Sequence, residues 1–404
     1  MKILVVNQYF WPDTASTSQL LTELCEDLAE HHEVTVVAGR PSYNPSESPR
    51  GRGLVAREQH GRVRVLRTWS TSFHRGSMPG RLANYGTYLT SCVIGALRAE
   101  RPDVVLTMTD PPVVAAAAMA ASRARRVPFV YVNQDVFPEV AVVLGKVRNR
   151  GVERGLRSVN RRLRSSASRV VAIGRDMRQR LLALGCPPGS IEVIPNWADG
   201  SAIAPLEGPS ALRAREGWND RFVVMHSGNV GLSQGLDTVV GAADALKEDP
   251  SVLFAIVGDG ASRHRLEARV AAARLENVRF LPYRPKSELA DSLGAADLHL
   301  IGLRRGLGGY IVPSKLYGVM AAGKPFVAAI DPDTEPAMIA HEHGCGLLAE
   351  PDDARSLADA IRRAKTAPLA EMGARGREAF STLYDRSIAT EAYRSLLEAV
   401  AAGG

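Results

Sequence analysis

Twice along this chain, short runs of aliphatic and β-branched residues alternate with longer stretches whose apolar residues recur at helical spacing. This rhythm limits the fold more than any single motif. Ile3 to Val6 is the first run, Leu20, Leu21, Leu24, Cys25 and Leu28 follow at helical spacing, and Val34 to Ala38 is a run again. Val104 to Leu106, the alanine-rich Val114 to Ala124, Phe129 to Val132 and Val170 to Ile173 continue the series. A second series holds Phe222 to Met225, Val252 to Val257, Val278 to Leu281, Leu298 to Ile301, Phe326 to Ile330 and Gly346 to Leu348, with helices such as Ala261 to Arg274 and Ala354 to Lys365 between them. Strands that are apolar throughout, rather than alternating, belong to parallel sheets covered on both faces. The expected class is therefore α/β, with two Rossmann-like, doubly wound parallel-sheet domains.

The two series meet in 196–217, a segment rich in Gly, Pro and Ala without clear periodicity. The expected division is a first domain over 1–200, joined by a C-terminal helix within 386–404, and a second over 201–385. Ligands bind beyond the carboxyl ends of the strands in such sheets, so the site is expected in an interdomain cleft.

Composition narrows the function classes. The 404 residues are 45% apolar, which excludes disorder, and 50 Lys and Arg against 43 Asp and Glu leave a net charge of +7. Phosphate-bearing partners suit that excess, but it does not by itself identify nucleic acid. Cys25, Cys92, Cys186 and Cys345 lie far apart, which argues against a disulfide framework or a thiolate zinc site and for a reducing cytoplasm. No apolar stretch reaches the ~20 residues of a membrane span, and Ile3 to Val6 is too short for a signal-peptide core and reads as a strand.

The loops discriminate further. Residues 7 to 18 follow the first strand without a G-x-G-x-x-G fingerprint, and there is no Walker A loop and no H-E-x-x-H. Nicotinamide, ATP and zinc chemistries lose ground. His341, Glu342 and His343 read as a solvated loop rather than a metal cluster. The second domain opens with His226-Ser-Gly-Asn-Val-Gly-Leu-Ser-Gln-Gly235, where Gly228 and Gly231 let backbone approach a ligand and a helix starting near Ser233 would attract an anion.

Two further segments, Val193-Ile-Pro-Asn-Trp-Ala-Asp199 and Pro313-Ser-Lys-Leu-Tyr-Gly-Val-Met-Ala-Ala-Gly-Lys-Pro325, join that loop and Ala255-Ile-Val-Gly-Asp-Gly260 in one order. With them the chain resembles the retaining nucleotide-sugar glycosyltransferases of family 4, of GT-B architecture, in their colanic-acid and O-antigen branch. The resemblance implies a nucleotide-diphosphate sugar, UDP-, GDP- or dTDP-linked, held by the second domain, and a hydroxyl acceptor, a lipid-linked saccharide or a small metabolite, presented by the first. It implies no cofactor and no obligatory metal, the leaving diphosphate being neutralised by cations and backbone amides. Gly228, Asn229, Gly231, Ser233 and Gln234 would line the phosphate loop, with Lys315 and Arg305 as counter-charges, Arg304 beside Arg305 being able to serve equally. Tyr283 and Arg284 would lie near the base. Asp135, within Tyr131-Val-Asn-Gln-Asp-Val-Phe-Pro-Glu139, would bind acceptor or donor sugar beside Glu139, and Asn7, Thr14 and Ser16 would approach the phosphates from the first domain.

The sequence departs from the family where Asn229 and Gln234 stand in place of an Arg and a Lys, and where Gly318 and Tyr310 stand in place of two glutamates. Backbone amides of Gly308, Gly309 and Tyr310 and the Ser314 hydroxyl are the expected replacements. These departures also motivate an alternative, a nucleotide-sugar-binding partner without transfer activity. Residues 146–169 hold nine Lys or Arg against one acid, Glu153, with Val152, Leu156, Val159 and Leu163 on one helical face. The segment reads either as the solvated side of a core helix or as a docking face for anionic lipid; nucleic acid lacks the aromatic platforms it would need there. The expected location is the cytoplasm, with a peripheral place on the inner face of the cell membrane if the second reading holds.

Overall fold

The protein is described from a computed structural model covering residues 1–13, 15–41, 54–71, 78–109 and 114–403. It divides into two compact units, Met1–Pro195 with Ala389–Gly404, and Asn196–Ile388. Thr14, one of the expected site residues, lies outside the described residues.

The first unit is built on eight strands: β1 (Lys2–Val6), β2 (Glu33–Gly39), β3 (Val55–His60), β4 (Val63–Thr68), β5 (Val104–Met108), β6 (Phe129–Asn133), β7 (Arg169–Ala172) and β8 (Ile191–Val193). Their order across the sheet is β3-β4-β2-β1-β5-β6-β7-β8. Every pairing is parallel except the hairpin of β3 with β4. The helices are α1 (Ser16–Leu28), α2 (Met78–Arg98), α3 (Val114–Arg125), α4 (Glu139–Val143), α5 (Arg150–Ser166) and α6 (Arg175–Ala183). Strand side chains alternate between faces. Leu4, Val6, Val105, Phe129 and Tyr131 accordingly form one core with Cys92, Ala96, Ala117, Ala118 and Ala121 of α2 and α3. The alanines let α3 lie close to the sheet.

The second unit has β9 (Phe222–Ser227), β10 (Val252–Val257), β11 (Val278–Leu281), β12 (Leu298–Gly302), β13 (Phe326–Ala329) and β14 (Gly346–Ala349), in the order β11-β10-β9-β12-β13-β14, all parallel. Its helices are α7 (Ala211–Arg215), α8 (Leu236–Ala245), α9 (Arg263–Ala272), α10 (Leu289–Gly294), α11 (Lys315–Ala321), α12 (Glu335–His343), α13 (Ala354–Ala364) and α14 (Leu369–Leu383). Val224, Phe254, Ile256, Leu298 and Leu300 pack on one face with α8 and α13, while Val223, Met225, Leu253, Ala255 and Val257 meet Leu212, Trp218 and Ala295 on the other. Both faces are covered, which is why these strands read as unbroken apolar runs. The last helix, α15 (Arg386–Ala401), buries Tyr393, Leu397 and Val400. Glu398 on it accepts a 3.0 Å hydrogen bond from His32 Nε2 within the first unit.

All four cysteines are free and buried. Among the described residues no helix is long and apolar enough to cross a membrane.

Candidate active site

In the second unit β9 lies between β10 and β12, so the chain winds first to one side of it and later to the other. The carboxyl ends of β9 and β12 are the switch point of the sheet, the place where such folds open a crevice for ligand. Residues 228–235, 258–262 and 303–314 run from the ends of β9, β10 and β12.

The first of these loops is held open by backbone bonds. Gly228, at φ 126°, donates its amide to Val257 O at 2.9 Å, and Val230 N donates to Asp259 O at 2.9 Å. Asn229 is exposed at the tip, whereas Gln234 is buried, with Nε2 donating to Ser233 Oγ at 3.3 Å. The Gln234 side-chain oxygen, Oε1, has no hydrogen-bond partner among the described residues. The helix that follows begins at Leu236 rather than near Ser233, and its N-cap is Gly235 in the left-handed region at φ 62°. A side-chain cap from Ser233 is therefore absent, because glycine makes the sharp entry instead.

Lys315, the first residue of α11, reaches back to the end of β9. Its Nζ lies 3.1 Å from His226 Nδ1 and 3.3 Å from Nε2. An alanine methyl at Gly228 would lie 3.9 Å from the same Nζ, so the amine stands directly beside the glycine loop. Lys315 is half-buried, and loss of water pulls its amine down to about 7. His226 is wholly buried, and burial together with the lysine charge holds it well below the ordinary histidine range, so it is neutral. Its Nε2 lies 3.3 Å from the Asn229 carbonyl oxygen. That oxygen can only accept, which assigns the hydrogen to Nε2 and leaves Nδ1 as the ring's free acceptor, the ring atom nearer the lysine amine. No carboxylate pairs with Lys315 among the described residues. His226 was not singled out from the sequence; the available signal was an ionisable residue at the carboxyl end of the second domain's first strand.

The loop after β12 separates two neighbouring arginines. Arg304 N donates to Ser233 O at 2.9 Å, tying this loop to the glycine loop, and the Arg304 side chain is exposed with no carboxylate partner among the described residues. Arg305 points to acids, with Nη2 3.1 Å from Glu350 Oε2 and Nη1 3.9 Å from Asp331 Oδ1. Arg305, the expected counter-charge, therefore faces two carboxylates, whereas Arg304 faces none among the described residues. The amide of Tyr310 donates to Leu307 O at 3.0 Å and is occupied by that turn, against expectation. Gly308 forms a bridge with Ile311, and Gly309 sits at φ 75° beside it. Ser314 immediately precedes α11. A side chain at Gly318 would meet Leu293 and Ile203, an apolar setting.

Tyr283, 55% exposed, lies beyond β11 and donates its hydroxyl to Asp259 O at 3.2 Å. Arg284 is largely buried, 3.7 Å from Glu216 and 4.0 Å from Glu288, so its charge is committed within the unit.

In the first unit Asn7 follows β1 directly, at that sheet's own switch point between β1 and β5. It is wholly buried, its Nδ2 donates to Tyr9 O at 2.8 Å, and its Oδ1 has no partner among the described residues. Ser16 opens α1 and is exposed. Asp135 is exposed two residues beyond β6, with its amide donating to Thr109 Oγ1 at 3.1 Å. Glu139 is buried and takes a 3.0 Å hydrogen bond from Arg157 Nε, while Arg157 also pairs with Glu153 at 2.6 Å.

In the basic segment, where α5 forms, the apolar stripe is divided between interior and surface. Leu163 is buried and Leu156 half-buried, but Val152 and Val159 are each 53% exposed, so half of the apolar stripe faces water beside exposed Arg154, Arg161 and Arg162. Arg164 is buried and Arg157 is paired, so neither is a free surface charge.

Comparison with known proteins agrees with this architecture. The model of the glycosyl transferase 4-like domain matches residues 17–197, and that of the glycosyl transferases group 1 matches 210–379. The probable glycosyltransferase WbjE of Pseudomonas aeruginosa is 31% identical, over 73% of this chain and 74% of its own. The putative colanic acid biosynthesis glycosyl transferase WcaI of Escherichia coli K12 is 27% identical, over 91% of this chain and 93% of its own. The crystal structure of Anabaena HepE in complex with UDP and glucose has the same fold, with a TM-score of 0.74 at 20% identity, covering 99% of this chain and 100% of that one. The two Rossmann-like sheets and the ordered family segments place this chain among the family 4 glycosyltransferases of the GT-B fold, in the branch of WbjE and WcaI, and it belongs to that family.

Proposed function

We propose that the protein transfers a sugar from a nucleoside diphosphate sugar to a hydroxyl acceptor with retention of anomeric configuration and without a metal ion. The observation that carries this reading is Lys315: an amine beside the glycine loop at the switch point, with no carboxylate to neutralise it. In the transfer the bond from the sugar's anomeric carbon to the donor phosphate oxygen breaks, and a bond to the acceptor oxygen forms on the same face. The acceptor's proton passes to a phosphate oxygen of the departing diphosphate. Lys315 and Arg304 meet the charge that develops on that diphosphate, the work a metal does elsewhere. Gly228, Asn229 and Gly231 let phosphate approach backbone amides, and the exposed Tyr283 ring offers a face to the base.

The solved HepE complex with UDP and glucose makes UDP-glucose the first donor to offer, with GDP and dTDP sugars beside it. Asp135 and Asn7 serve the acceptor or donor sugar from the first unit. The relationship to WcaI and the exposed basic face of α5 support a lipid-linked saccharide as acceptor, with the protein resting on the cytoplasmic face of an anionic membrane.

The test incubates purified protein with UDP-, GDP- and dTDP-sugars and a bacterial lipid extract, with and without EDTA. Nucleoside diphosphate release that survives chelation, and an α-linked product from an α-linked donor by NMR, is the expected result. An inverted product or complete loss in EDTA overturns the respective part. Donor binding without transfer to any acceptor would identify a sugar-nucleotide-binding partner instead.

A further inference from the structure

We propose that His226 is a positioning residue for Lys315: it holds the lysine amine beside the glycine loop and couples it to that loop through the Asn229 carbonyl. The proposal rests on the reading that Lys315 meets the leaving diphosphate.

A fully buried imidazole costs stability unless its polar atoms are bonded. Here Nε2 lies 3.3 Å from Asn229 O, and Lys315 Nζ stands close to both ring nitrogens, 3.1 Å from Nδ1 and 3.3 Å from Nε2. The two contacts lie on different elements, the loop after β9 and the start of α11. One side chain therefore joins the segment that would surround phosphate to the cation that would face it.

The acceptor's neutrality matters as much as its place. A carboxylate at this point would hold the ammonium in an ion pair and compete with phosphate for it. A neutral imidazole fixes the direction of the amine and leaves its charge available. Among the described residues no carboxylate pairs with either member. The charged or titratable groups that act on the pair are His299 on β12 and, through it, Lys324. His299 is buried, bonds Leu293 O at 3.0 Å through Nε2, and is held neutral by burial, down to about 4.

Three variants test this: His226→Leu removes both bonds, His226→Phe does so with a ring of similar shape should Leu fail to fold, and His226→Asn returns a neutral acceptor oxygen. The first readout is the titration of Lys315 itself, followed by NMR of ε-carbon-labelled lysine and assigned with Lys315→Ala. A hydrogen bond to the charged form stabilises it, so the apolar variants are expected to lower the lysine midpoint by about one pH unit, with Asn near wild type. The second readout is kcat against pH: in His226→Leu the alkaline limb moves to lower pH and kcat falls tenfold or more, while donor KM changes less than threefold. Lys315→Ala combined with His226→Leu should be no worse than Lys315→Ala alone. An unmoved Lys315 titration, or losses that multiply in the double variant, overturns the proposal. Absence of transfer by the wild-type protein would instead overturn the reading of the reaction, with the NMR titration still deciding the role of His226.

Discussion

A Cβ on Gly258 would stand 1.9 Å from the carbonyl oxygen of Gly228, so the loop after β10 passes directly beneath the loop after β9. Gly258 is also at φ 138°, outside the range L side chains adopt readily, and the Tyr283 ring closes the same space at 3.4 Å. Gly258→Ala must displace Gly228 or its own backbone. A loss of ~1–3 kcal/mol in unfolding free energy is expected from strain and crowding. Calorimetric titration with UDP should show binding weakened at least tenfold under conditions where the variant is folded. Unchanged UDP affinity would mean that phosphate does not sit on this loop.

Lys315 burdens the fold at neutral pH. Its amine titrates near 7 in the native protein and near 10.5 when unfolded. Below pH 7 both states are protonated, and the native state bears the full penalty of a poorly hydrated charge. Between 7 and 10.5 the unfolded state binds the extra proton, so this group's contribution to stability rises with pH and its penalty disappears near 10.5. Lys315→Met should therefore raise the melting temperature by a few degrees at pH 6, with a smaller gain at pH 9, while turnover falls by two orders of magnitude or more. A variant less stable at pH 6 than wild type would show that the amine is well solvated.

The neighbouring arginines should separate in experiment. Arg304 is exposed, unpaired with acids among the described residues, and tied by its amide to Ser233 O, whereas Arg305 faces Glu350 and Asp331. Arg304→Ala should lower kcat/KM for the donor about ten- to a hundredfold, as for loss of one charge-stabilising donor. Arg305→Ala should stay within threefold, since exposed pairs contribute little. Steady-state kinetics at constant ionic strength decides, and the reverse ranking would return the role to Arg305.

The sheets were legible in the sequence because burial on both faces makes each strand an unbroken apolar run, as Val252 to Val257 illustrates. The hairpin of β3 and β4 was not legible, because its charge hides its place. Arg67 is wholly buried, its guanidinium meeting Glu58 at 2.8 Å and also bonding the Trp11 carbonyl, so an interior strand reads as polar. The glycine loop and Lys315 were legible as motifs. Their connection through His226 was not, since it depends on α11 directing a side chain to the end of a strand 89 residues earlier. That Arg305 rather than Arg304 faces acids was likewise not legible, because it depends on where Asp331 and Glu350 fall in space. At α5 the helical spacing put Val152, Leu156, Val159 and Leu163 on one face, but spacing alone could not tell that Val152 and Val159 are exposed while Leu163 is buried.

That exposure makes the basic helix testable as a docking face. Val152 and Val159 project among Arg154, Arg161 and Arg162, whose side chains are exposed and have no acidic partner among the described residues. A cation near an anionic bilayer contributes ~1 kcal/mol, so reversing all three to Glu should reduce binding to phosphatidylglycerol vesicles by on the order of a hundredfold or more. Wild-type binding should weaken as salt rises. Turnover on a water-soluble acceptor should be unaffected in the triple variant, because none of the three touches the site residues described above. Arg157→Glu is the informative contrast: it leaves the buried Glu139 carboxylate without its 3.0 Å partner and should unfold the helix's attachment rather than simply release the membrane. Vesicle sedimentation alongside thermal denaturation separates these outcomes. Equal vesicle binding by wild type and the triple variant would reject α5 as the docking face.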